Sequence, residues 1–105
     1  MLLRGKKLGL LLSTPPDQPG FQHGLRLAEA ALEEGVEVYL YCVDEAVRGV
    51  GEPGLQSLAA HGLKLYVCAY CAQRRGMERN PNAIYAGLAM LSDLISATDR
   101  FVSFN

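Results

Sequence analysis

Short apolar runs alternate with stretches of helical period along this chain, and that alternation constrains the fold more than any other feature. Residues 7–12 carry Leu8, Leu10, Leu11 and Leu12, a brief run bounded by turn residues, as a buried strand would be. Residues 13–20 hold three prolines, Asp17 and Gly20, and read as a loop. From about Phe21 the period changes: Leu25, Ala28 and Leu32 define an apolar helical face. Glu33 and Glu34 sit unfavourably at the negative end of the helix dipole, so Gly35 carries the stop signal through its access to left-handed backbone. Residues 36–43, with Val, Tyr and Leu, resume a strand. A helix between two apolar strands makes a parallel pair with a right-handed crossover.

The pattern then repeats. Residues 44–47 suit a short helical turn, residues 49–54 a glycine- and proline-rich loop, and residues 55–60 a short helix ending at His61 and Gly62. Residues 64–68 form a third strand. Residues 71–75 open a helix closed by Gly76, and residues 83–86 make a short, weakly signalled fourth strand. Leu88, Leu91, Leu94 and Ile95 lie on one helical stripe, and residues 100–104 form a final strand. This order predicts a three-layer α/β/α sandwich around a mainly parallel five-stranded sheet, a flavodoxin-like arrangement. With 105 residues, the expectation is one domain spanning 1–105.

Charge and cysteine count narrow the function. A net charge of -1 gives no electrostatic footprint for nucleic acid. No apolar run reaches the roughly 18 residues that span a bilayer. The leucine run after Arg4, Lys6 and Lys7 lacks a small-x-small cleavage site, which favours a strand over a secretory signal and a cytoplasmic protein. Three cysteines, Cys42, Cys68 and Cys71, with one C-x-x-C pair, do not make a disulfide framework. They point to catalysis, metal binding or burial.

In parallel sheets, chemistry gathers beyond the carboxyl ends of the strands. The 13–20 loop, Cys42 and the Cys68/Cys71 pair are all expected there. Cys68 closes a strand where a helix begins, so backbone amides there would favour a thiolate and make it a nucleophile. A simply buried cysteine fits the same spacing. Cys71, in the first turn, is a candidate assisting thiol or disulfide partner, and Arg74 a candidate anion stabiliser. Tyr70 belongs at the mouth of such a site. Tyr39, Tyr41 and Tyr66 fit the core or an interface. His23 begins the first helix and is read as a general base, a ligand-binding group or a solvent-facing cap. Asp17 and Asp44 are suited to ordering loops. One cysteine pair, Cys42 and two scattered histidines do not supply a four-ligand zinc site. No glycine-rich phosphate loop occurs, so no cofactor is expected.

Four segments together resemble the DsrE/DsrF/DsrH and TusBCD sulfur-relay family. They are the leucine strand with its proline loop and a helix ending Leu32-Glu33-Glu34-Gly35; Val36-Glu37-Val38-Tyr39-Leu40-Tyr41 with Asp44-Glu45-Ala46-Val47; Leu65-Tyr66-Val67-Cys68-Ala69-Tyr70-Cys71-Ala72-Gln73-Arg74-Arg75-Gly76; and Gly87-Leu88 with the last helix and strand. The resemblance implies a DsrE-like fold in which Cys68 carries sulfane sulfur as a persulfide. Arg74, Arg75 and Gly76 match the family's trailing motif, and Cys71 occupies a position often filled by Ala, Ser or Cys. It also implies a trimeric or hexameric assembly, homomeric or mixed, with a homo-oligomer expected here, working between sulfur donor and acceptor proteins. Tyr70, Arg75, His23, Asp17 and Cys42 are the residues expected to meet substrate or partner. The alternatives are a non-catalytic assembly or binding subunit on the same fold, and a small C-x-x-C dithiol oxidoreductase.

Overall fold

A computed structural model of the protein describes residues 2–105. Five strands, β1 (Lys7–Leu12), β2 (Glu37–Cys42), β3 (Lys64–Cys68), β4 (Ile84–Ala86) and β5 (Arg100–Phe104), form one sheet in the order β4-β3-β2-β1-β5. The expectation of a mainly parallel sheet is met in full, since all four pairings are parallel. Helices α1 (Pro19–Glu33), α2 (Pro53–Ala60), α3 (Ala69–Arg74) and α4 (Leu88–Ala97) make the connections, with a 3-10 turn at Asp44–Gly49 after β2.

The pleat divides the strand residues between two cores. Successive side chains point to opposite faces. Leu10, Leu12, Val38, Leu40, Cys42, Leu65 and Val67 therefore share one face. They pack with Phe21, Leu25 and Ala28 of α1, Leu55 and Leu58 of α2 and Ala72 of α3. On the other face Tyr41 and Cys68 are buried with Leu94 of α4, flanked by half-buried Leu11, Tyr39, Tyr66 and Phe101. The result is a three-layer α/β/α sandwich with three helices on one side of the sheet and one on the other. Strands β1 to β4 step outward in one direction, so their crossovers lie on one face. The connection from β4 to β5 returns past β1 and occupies the other.

Several boundaries shift for local reasons. Helix α1 begins at Pro19, before the expected Phe21, because proline's fixed φ and missing N–H suit the first helical position. Helix α2 begins at Pro53 for the same reason. Gly35 ends α1 with φ +80, as its position requires. Gly49 closes the 3-10 turn against the Phe21 ring, where an added Cβ would lie 2.5 Å from ring carbon. Among the described residues, no helix is long and apolar enough to cross a membrane.

Candidate functional site

The pair Cys68 and Cys71 stands where β3 gives way to α3. Cys68 is both the last strand residue and the N-cap of the helix, with extended backbone at φ -64 and ψ 113. A capping side chain accepts an amide that the helix itself cannot satisfy. Here the acceptor is sulfur: the Cys71 N–H donates to Cys68 Sγ at 3.4 Å. Sequence spacing placed the helix start at Cys71. The sulfur cap instead brings it forward to Ala69 and sets Cys71 at the third helical position.

Cys68 faces the single-helix side of the sheet and is only 4% exposed. Tyr41 crosses beneath it. The Tyr41 hydroxyl lies 3.1 Å from the Ala86 carbonyl and 3.0 Å from that of Gly87, both acceptors for its one proton. Burial, and then the neighbouring Cys68, push the Tyr41 phenol up to about 12. Tyr41 thus stays protonated and ties β2 to the start of α4 directly behind the sulfur.

Cys71 is half-buried and lies nearer solvent than Cys68. Its thiol is held above its ordinary range, first by burial. The Asp44 backbone N–H opposes that shift, Cys68 reinforces it, and the Arg75 charge opposes it again. A negative charge on Cys68 would make the Cys71 thiol hold its proton more tightly. No disulfide joins them.

A polar clasp closes the solvent side. The Arg75 guanidinium donates from Nε to Glu45 Oε2 at 2.6 Å, from Nη1 to the Cys71 carbonyl at 3.2 Å, and from Nη2 to Asp44 Oδ1. Glu45 also receives Arg48 Nε at 2.8 Å, and these two arginines hold its carboxyl below its usual range, Arg48 first. Asp44 has φ 52, making it the one non-glycine residue in left-handed backbone among those described.

The remaining expected residues divide clearly. Tyr70 is 64% exposed beside the pair, and Arg74 Nη1 donates to its hydroxyl at 2.9 Å, with the guanidinium 5.7 Å from the ring centre. Arg74 thus spends its charge on Tyr70, while Arg75 engages the Asp44 turn. Cys42 ends β2 one strand away, but its register partner is Val67, the residue before Cys68. It therefore points to the opposite face, where complete burial pushes its thiol up to about 12. Asp17 and His23 are exposed, on the loop after β1 and on α1. Strand β2 separates β1 from β3, which sets the ends of those two strands about 10 Å apart. Neither side chain hydrogen-bonds to the cysteine pair. Among the described residues no group of three or more His, Cys, Asp or Glu is arranged to hold a metal ion.

Sequence reasoning assigns Tyr41 to the core or an interface, where it is buried, without a place beside Cys68, and gives Glu45 no role. Tyr41 carried half a signal: the pleat turns it away from Cys42, but that Cys68 shares its face follows from the β2–β3 register. Glu45 carried none, because its partner lies thirty residues away on another element.

Comparison with known proteins agrees with this architecture. The model of the DsrE/DsrF-like family matches residues 6–104. Among solved structures, the crystal structure of the ychN protein from E. coli superposes with a TM-score of 0.77 at 19% identity, covering 95% of this chain and 99% of that one. No curated protein matches the chain in sequence. At that identity the superposition speaks for the fold, and the family match, which spans nearly every residue, speaks for descent: the chain belongs to the DsrE/DsrF-like sulfur-relay family.

Proposed function

We propose that the protein accepts sulfane sulfur on Cys68 as a persulfide and passes it on to a cysteine of an acceptor protein. The observation that carries this reading is the position of Cys68 Sγ as the cap of α3, accepting the Cys71 N–H, with a second thiol beside it. The attacking form of a cysteine is the thiolate, and the Cys71 N–H is the donor that faces this sulfur.

The Cys68 thiolate attacks the outer sulfur of a donor persulfide. A new S–S bond forms, the donor's S–S bond breaks, and the donor cysteine leaves as a thiolate. The product is Cys68–S–S⁻, with no net oxidation. An acceptor thiolate then attacks the terminal sulfur, and Cys68 departs as the thiolate it began as. The partners are a sulfur donor and a sulfur acceptor protein, met in a reducing compartment, the cytoplasm. Leu88 and Ile95, two helical turns apart on α4, are exposed together with Ile84, and they support assembly of copies of a single domain into a trimer or hexamer.

The test is incubation with a low-molecular-weight persulfide followed by mass analysis of the peptide bearing Cys68. That peptide should gain the mass of one sulfur atom, and Cys68→Ser should abolish the gain. A gain that survives in the Cys68→Ser protein overturns the assignment.

One observation favours a second reading, a non-catalytic subunit. Cys68 is 4% exposed in the isolated chain, so its sulfur is nearly closed off. That reading predicts slow alkylation of Cys68 and partner binding unaffected by Cys68→Ser.

A further inference from the structure

We infer that Arg75 is a positioning residue: its three-way clasp fixes the left-handed Asp44 turn as the outer wall of the cysteine site and holds Cys71 beside Cys68. The inference deepens the sulfur-transfer reading and rests on it for its purpose.

The geometry is specific to Arg75. Its guanidinium reaches the Asp44 and Glu45 carboxylates on the turn after β2 and the Cys71 carbonyl one helical turn back on α3. Three donors in a rigid plane thus join the turn after β2 to helix α3, which follows the neighbouring strand β3. Arg74, adjacent in sequence, is turned to Tyr70 and does none of this.

The Asp44 turn explains what the clasp is for. A non-glycine residue at φ 52 persists only where its surroundings over-determine it, and such residues gather at functional sites. Asp44 is over-determined by the ion pair to Arg75. In this conformation its backbone N–H acts on the Cys71 sulfur, while the Cys71 N–H is donated to Cys68. The two sulfurs are thus each faced by a backbone amide, Cys68 by that of Cys71 and Cys71 by that of Asp44. The charged and titratable groups around Cys71 are Cys68 and Tyr41 from the sheet, Asp44 and Glu45 from the turn, and Arg75 from its own helix.

The experiment is site-resolved alkylation with iodoacetamide from about pH 6 to about pH 10, read from fragment ions that separate Cys68 from Cys71. It uses the whole chain, never exposed to a sulfur donor. Arg75→Ala should move the Cys71 midpoint upward and slow its reaction at every pH below that midpoint, because the Arg75 charge and the Asp44 amide it positions both act to lower the Cys71 thiol. Arg75→Lys should leave most of that shift in place, since an ammonium supplies charge without the fork. Asp44→Ala and Asp44→Gly both lose the carboxylate, but only glycine accepts φ 52 without strain. Asp44→Gly should therefore keep a Cys71 profile closer to the parent than Asp44→Ala.

A Cys71 profile unchanged in Arg75→Ala overturns the inference. So does full rescue by lysine, or coincidence of the two Asp44 variants. Should Arg75→Ala fail to fold, the lysine and Asp44 comparisons decide alone. A protein that shows these shifts yet takes no sulfur loses the transfer reading and keeps this one. A protein that takes sulfur without the shifts does the reverse.

Discussion

On the α1 side of the sheet, Leu10, Leu12, Phe21, Leu40, Leu55 and Val67 are sealed from solvent among residues of three helices. On the α4 side the buried side chains are those of Tyr41, Cys68 and Leu94, and Tyr39, Tyr66, Leu91 and Phe101 remain half-open. The two cysteines that end neighbouring strands fall one on each side. Cys42 sits in the thick layer, where its sulfur meets only apolar atoms and cannot readily ionise. Cys68 sits in the thin layer, against an amide, a phenol and a second thiol. One residue of register separates an inert thiol from a candidate nucleophile. Stability is concentrated in one layer, which leaves the other free to carry polar groups near the Cys68 sulfur.

The largest expected effect compares the two layers directly. Phe21→Ala, which empties the centre of the thick layer, should cost about 4 kcal/mol of unfolding free energy in a urea titration. Leu94→Ala, which removes the one buried residue of α4, should cost about 2 kcal/mol. Equal losses would break the contrast between the layers.

A second effect, comparable in total but spread over alkaline pH, follows from Cys42. The folded state keeps the Cys42 proton up to about 12, while the unfolded chain releases it near the ordinary thiol value. The stability contributed by the buried neutral thiol is therefore complete below that ordinary value and is lost as pH rises toward about 12. Within this window the loss is about 1.4 kcal/mol per pH unit. Cys42→Val should flatten the alkaline slope, measured by urea unfolding at successive pH values. Tyr41 adds a similar loss at the upper end of the window, from its own ordinary value to about 12, and should remain in that variant.

The smallest effect sharpens the account of the thin layer. Ile95→Ser alters an exposed side chain and should change unfolding free energy by less than about 0.5 kcal/mol. If copies of the chain meet through α4, the same variant should weaken assembly in sedimentation velocity, separating a surface used for contact from one used for stability.

Much of the fold was legible because its signals are local. Strands β3 and β5 begin and end where alternation and turn residues put them, and the helix-to-strand switch at Gly35 follows from one residue's conformational freedom. Strand β4 was faint because its three residues are fixed by pairing with Tyr66, Val67 and Cys68, a tertiary cause. The site was legible only in part. Cys68 and Cys71 stood out by spacing at a strand-to-helix junction. That Cys42 faces away follows from pairing with Val67, and register is not written in either strand alone. The different employment of Arg74 and Arg75 depends on helical phase and on acidic partners some thirty residues earlier, which no local pattern encodes.

The most direct test of the central claim is to treat the protein with a persulfide donor and assign the added sulfur among its three cysteines by peptide fragmentation. The account predicts sulfur on Cys68 and none on Cys42. Sulfur on Cys42, or a chain in which Cys68 stays unmodified while the donor is consumed at Cys71 alone, would contradict it.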